Sequence, residues 1–202
     1  MGLRLRPRQA QADAGDIVLL YADESEVLTH PYLAHAWAER GAELQVRAPG
    51  QSRKVALMGA LDAGTGELVF STSPTKVSAD FIAFLRRLDW RYGPKPGSTR
   101  LPVVLVLDNG PIHTSKASRA ALDARPWIVE PRGSPDTVEW LPRHAPELND
   151  IERTWRDLKR HYLAHHTFKG AADLSCVIHA AVRQLNKERM NPHPCSNLEK
   201  AA

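Results

Sequence analysis

The sequence predicts a mixed α/β domain built on a five-stranded sheet flanked by helices. Three observations predict it. Two continuous apolar runs of strand length, "IVLLYADES" at 17–25 and "LPVVLVLDNG" at 101–110, suit strands buried on both faces, and each closes on an acid. Two further apolar runs, "KVALMGALD" (54–62) and "ELVFSTS" (67–73), flank "AGTG", which is a hairpin signal. Phe81, Ile82, Leu85 and Leu88 in "VSADFIAFLRRLDWRY" (77–92) recur at the spacing of an amphipathic helix.

The elements follow in order. Residues 1–16 read as a flexible polar lead-in, and residues 17–190 as one domain, the default for a chain of 202 residues. After the first strand, Pro31 opens a short helix through "PYLAHAWAER", with Gly41 just past its end. "LQVRA" (44–48) reads as a strand, followed by the hairpin and the helix over 77–92. After the second buried strand, "SKASRAALDAR" (115–125) is helical, and "WIVE" with "TVEWL" supply one or two short strands. Helices over about 147–166 and 171–189 finish the domain, and 191–202 form a flexible tail ended by prolines.

Composition narrows the class. A 43% hydrophobic and 25% charged chain is that of an ordinary soluble globular protein. No run approaches the length of a transmembrane helix, so no membrane partner is expected. The basic start "MGLRLRPRQAQADAGD" lacks the apolar core of a secretory signal. Cys176 and Cys195 give neither a disulfide framework nor a zinc site, which fits a cytoplasmic location. A net charge of +4 leans weakly towards a polyanionic partner.

Three carboxylates stand out. An ionised Asp23 at the end of an apolar strand is costly unless it is paired, exposed or metal-bound. Alternation puts it on the face of Leu19 and Tyr21, and Glu24 on the opposite face. Asp108 repeats the arrangement at the end of "VVLVLD", before Asn109 and Gly110. If the two strands are neighbours, the two acids converge beyond their carboxyl ends, where open α/β sheets collect ligands. Each Asp taken alone reads first as the start of a loop. In the following helix, Leu148, Ile151, Trp155, Leu158 and Tyr162 form the buried stripe, with Glu152 at its margin and Lys159 close to the same direction. Taken alone, Glu152 reads as a flank carboxylate paired with Arg156. Three acids so arranged suit a pair of hard cations about 3.5–4 Å apart, able to act on both oxygens of an in-line phosphoryl displacement.

"YADES", "LDNGPIHTSK" and "APELNDIERTWRDLK" together resemble the three catalytic blocks of DDE transposases, most of all the bacterial insertion-sequence relatives of the mariner superfamily. The likeness runs over about 17–185. It implies a ribonuclease H-like fold and a metal-dependent enzyme that cuts DNA at transposon ends and joins the freed 3′-hydroxyl to a target. By motif position it makes Asp23, Asp108 and Glu152 the catalytic and metal-binding acids, for two Mg²⁺ or Mn²⁺ ions per site. Asn109, His113 and Asn149 also fall inside the matched blocks, and Asn149 reads equally as the cap of the helix carrying Glu152. The resemblance further implies a homodimer, since two ends are handled together.

The chain departs from the family pattern in three ways. Asp150 stands where the third block has its second proline. The 44 positions from Asp108 to Glu152 (152 − 108) exceed the usual spacing, with the excess expected in "EPRGSPDTVEWLPRH". The 16 residues before the match are too few for an end-reading helix-turn-helix region, so a separately encoded helix-turn-helix subunit is an expected partner.

Lys159 and Arg153 are the preferred DNA contacts, with Arg156, His113, Asn109 and Lys54 as further candidates. For most of them a solvated charged face explains the residue as well. His161 and His165 have the i,i+4 spacing of helical zinc ligands but lack an evident third. The five tryptophans read as core or interface residues. Two rival functions share these features: a ribonuclease H-like nuclease without strand transfer, and an inactive or accessory DNA-binding remnant.

Overall fold

The computed structural model describes residues 2–33, 37–43, 45–47, 50–97, 100–128, 138–143 and 145–190. Helix α1 (Gly2–Asp13) precedes strand β1 (Val18–Leu28), the hairpin β2 (Lys54–Asp62) and β3 (Leu68–Ser73), and helix α2 (Ser78–Tyr92). Strand β4 (Val103–Leu107), the short helices α3 (Pro111–Thr114) and α4 (Lys116–Asp123) and strand β5 (Glu139–Trp140) follow. A 3₁₀ turn (Pro146–Leu148), helix α5 (Ile151–Asp157), a π-helical turn (Leu158–Tyr162) and helix α6 (Ala171–Met190) complete the order.

The expected five-stranded mixed sheet is present, in the order β3-β2-β1-β4-β5. Strand β1 pairs antiparallel with β2 and parallel with β4, so the two buried runs are neighbours. Alternation divides the side chains between two cores. Leu19, Tyr21, Leu57, Val104 and Val106 face α5 and α6 through Ile151, Trp155, Leu174 and Ile178. Leu20, Ala22, Met58, Leu105 and Leu107 face α2 and α4 through Phe81, Phe84, Leu85, Leu88 and Leu122. Both faces are covered, which is why β4 reads as an unbroken apolar run.

Several expectations need correction. Residues 2–13 form a helix rather than a flexible lead-in, with Leu5 and Ala12 packed on the core and Arg8–Gln11 and Gln9–Asp13 bonded along it. Strand β1 continues to Leu28, so Asp23 lies within it rather than at its end. Backbone pairing with β2 carries the ladder through Glu24, Ser25 and Glu26. No helix forms at 31–33 or 37–40 and no strand at 45–47 among the described residues; instead Tyr32 bridges to Ala164. Of "WIVE", Ile128 makes a single bridge to Val103. The tail at 191–202 and most of "EPRGSPDTVEWLPRH" lie outside the described residues.

The helix expected over 147–166 is broken into three pieces, and the π turn advances its register. The Leu163 N–H donates to the Leu158 carbonyl, five residues back, so Leu163 becomes fully buried while Tyr162 is only partly so. His165 lies beyond that helix with a positive φ of 61°, which removes the helical face it was expected to share with His161. Trp155 is core, whereas Trp37 and Trp90 are exposed.

Candidate active site

Register explains how the first two acids meet. Tyr21 is paired with Val106 across the parallel β1–β4 ladder, so two residues further along Asp23 and Asp108 come level on adjacent strands, on the same face. Strand β4 ends at Leu107, and Asp108 begins the bend into α3. Gly110 allows a close approach there: a Cβ on it would lie 2.9 Å from Asp108 Oδ1. With no side chain in the way, the Gly110 N–H donates to that same oxygen at 2.9 Å.

Helix α5 brings in the third acid. It is seated by Trp155, which lies over Gly59 of β2, and by Asn149, whose Nδ2 donates to the Ala22 carbonyl at 3.4 Å. Asn149 thus ties the helix start to β1, and its side chain is turned to that strand rather than to a cap. Asp23, Asp108 and Glu152 line one cleft of about 580 Å³, together with Asn109, Thr114, Arg143 and Asn149.

The electrostatics of the cleft favour a cation. The Asp23 carboxyl is pushed up to about 8, first by burial and then by Glu24, Glu152 and Asp108, against the lowering effect of the Glu24 N–H. That N–H donates to Asp23 Oδ1 at 2.8 Å. Asp108 is held below the ordinary carboxylate range, chiefly by its bond to His113 and also by the Gly110 N–H. Its His113 contact, Nδ1 to Oδ1, measures 2.6 Å. The Asn149 Oδ1 on the cleft wall is buried and has no hydrogen-bond partner among the described residues. Hard oxygen donors, a carboxyl made unfavourable by its like-charged neighbours and this amide oxygen all fit a divalent ion. Among the described residues, Glu24, Asp108 and His113 also bring ligand atoms within 4.8 Å of one another.

The remaining expected residues divide. Lys159 is half-buried; its Nζ donates to Ser25 Oγ at 2.9 Å, and burial lowers its pKa while Glu152, Glu26 and Asp23 oppose that shift. Arg153 and Arg156 are exposed on α5. Lys54 is exposed and pairs with Glu26 at 3.0 Å. Asn109 lines the cleft and donates to the Leu141 carbonyl. His113, expected to touch DNA, is only 1% exposed and faces carboxylates instead. Its second carboxylate, Glu24 at 3.3 Å from Nε2, went unselected in the sequence. The available signal was alternation, which sends Glu24 to the face opposite Asp23, where α2 and α3 pack.

The family model described as DDE superfamily endonuclease matches residues 18–175. The insertion element IS630 uncharacterized 39 kDa protein of Shigella sonnei is 32% identical over 140 residues, 69% of this chain and 37% of its own length. The chain therefore spans little more than a third of that relative. Among solved structures, the Mos1 mariner paired end complex with Mn superposes with a TM-score of 0.59 at 17% identity, over 93% of this chain and 59% of that one. The catalytic core domain of BIV integrase gives 0.51 at 17% identity, over 91% and 98%. At these identities the likeness is one of fold, and that fold is ribonuclease H-like.

Proposed function

We propose, because the chain belongs to the DDE superfamily endonuclease family, that it cleaves DNA strands at transposon ends and transfers them to a target. The observation that carries this reading is the convergence of Asp23, Asp108 and Glu152 on one cleft, where Asp23 resists ionisation beside its neighbouring acids. Asp23 and Asp108 would hold one Mg²⁺ or Mn²⁺, and Glu152 would complete a second site. Two such ions, when bound, would supply Lewis-acid stabilisation of the attacking and leaving oxygens of a phosphodiester.

The chain's own residues do the rest. Asp23 and Asp108 each have one oxygen fixed by a backbone N–H group, which holds the carboxylates in place at the cleft without reorganisation. Lys159 places a positive charge beside the acids, and exposed Arg153 and Arg156 extend it along α5 for DNA phosphates. Asn109 and Lys54 are further contacts of this kind. A homodimer would handle two ends together, and a helix-turn-helix region would supply end recognition.

The test is Mg²⁺-dependent nicking of a transposon-end duplex by wild type and by Asp108→Asn. The substitution removes a ligand charge while keeping the side-chain shape, and nicking should vanish. Undiminished nicking by Asp108→Asn would sink the mechanism. Cleavage of an RNA–DNA hybrid, with no cutting or joining of the end duplex, would replace transposition with hydrolysis.

A further inference from the structure

We infer that His113 is a positioning residue: its Nδ1–H fixes Asp108 Oδ1 so that only Oδ2 is left for a cation, while Glu24 holds the far side of the ring. The inference rests on reading Asp108 as a metal ligand.

The ring is confined from every side. Nδ1 lies 2.6 Å from Asp108 Oδ1, and Nε2 lies 3.3 Å from Glu24 Oε2. The Glu24 contact is an ion-pair distance off the hydrogen-bond direction, since Oε2 has no hydrogen-bond donor among the described residues. The Phe81 ring meets the imidazole edge-on, with centroids 4.7 Å apart and planes at 66°. The backbone that carries the ring is pinned as well. The Ile112 carbonyl accepts from Ser118 Oγ at 2.6 Å and Ser78 Oγ at 3.2 Å, tying α3 to α4 and α2. Pro111 at the start of α3 restricts the chain further.

This confinement decides what Asp108 can do. Oδ1 already accepts from the Gly110 N–H and from His113, which fills its two in-plane lone pairs. Oδ2 has no such partner among the described residues, and the Asp108 side chain is 46% exposed. The carboxylate therefore offers one oxygen in a fixed direction, as a monodentate ligand. Outer-shell partners of this kind change metal affinity by roughly 10–100-fold when removed. Glu24 reaches the ring from β1 on the face opposite Asp23, so two consecutive acids serve one site from both sides of the sheet.

Two amides separate this role from mere packing. Asn carries its NH₂ near the Nδ1 position, and Gln carries it near Nε2. With Mn²⁺ affinity read by calorimetry, His113→Asn should stay within about threefold of wild type, and His113→Gln should bind about 10–100-fold more weakly. Equal losses in both variants, equal retention, or a loss confined to His113→Asn would each overturn the inference. Asp108→Asn is the control for the underlying reading: intact Mn²⁺ binding there would strike the ligand role of Asp108 itself. Should either His113 variant fail to fold, the metal-free wild type gives a second readout. The buried ring N–H should give a downfield, exchange-protected proton resonance that is displaced in Asp108→Asn. Its absence from the wild type, or its indifference to Asp108→Asn, would overturn the inference.

Discussion

Gly59→Ala should damage the cleft from a position that contributes no chemistry. Gly59 on β2 is the register partner of Asp23. A Cβ added there would lie 2.5 Å from Trp155 Cη2, 2.6 Å from Cζ2 and 3.3 Å from Leu68 Cδ1. Carbon atoms pack at about 3.5–4.0 Å, so the indole must retreat by roughly 1 Å. Trp155 is 2% exposed, packed in the core on α5, so the retreat passes to that helix, which carries Glu152. Alanine is intrinsically better than glycine in a strand by about 0.5–1 kcal/mol, and overpacking a core costs about 1–3 kcal/mol. The clash should win, lowering the melting temperature by several degrees at roughly 2–4 °C per kcal/mol. A 1 Å displacement of Glu152 should cost about 100-fold in nicking rate. Thermal unfolding and nicking of a labelled duplex measure the two effects. Trp155→Phe shortens the ring at the clash, so the double variant should be less destabilised than the sum of the singles by about 1 kcal/mol or more. Strict additivity, or an unshifted melting temperature in Gly59→Ala, would show that Trp155 does not pass the clash on to α5.

Other perturbations follow from the same contacts. Asp23 is raised in the folded state, so the metal-free protein holds a proton that the unfolded chain releases near pH 4. Stability without metal should therefore fall as pH rises from about 4 to about 8 and then level off, and Asp23→Asn should flatten that part of the profile; a rise over that window would contradict the assignment. Asp89 accepts from Arg125 at 2.8 and 2.7 Å and from Trp127 at 3.0 Å, so Asp89→Ala leaves three N–H donors without this acceptor. Because the Asp89 side chain is 37% exposed, the expected loss is about 1–3 kcal/mol by urea unfolding, and a loss below ~0.5 kcal/mol would assign the cluster to solvated surface. Lys159→Met should weaken duplex binding and reduce the slope of log affinity against log salt by about one, as removal of a phosphate contact does; an unchanged slope would take Lys159 out of the DNA surface.

Much of the cleft was legible because it obeys short periods. The two-residue period of β1 gave the face of Asp23, and the helical stripe through Ile151, Trp155 and Leu158 gave the margin on which Glu152 lies. What stayed hidden depends on partners distant in sequence. Strand β1 runs past Asp23 because β2 supplies backbone partners for Glu24 to Leu28, whatever the polarity of their side chains. The π turn leaves no trace in residue type, so Tyr162 was expected where Leu163 is buried. Helix α1 has few apolar contacts, and its composition resembles a solvated tail. The pairing of Glu24 with His113 needs the bend after Asp108, which folds a residue five positions on back under the sheet.

The metal-binding role of the three acids is open to a direct test by anomalous scattering from a Mn²⁺-soaked crystal. Metal density is expected in the cleft between Asp23 and Asp108, with Asp108 contributing Oδ2 alone and a second position against Glu152. Density held by Glu24 and His113, with Asp23 and Glu152 uninvolved, would contradict it.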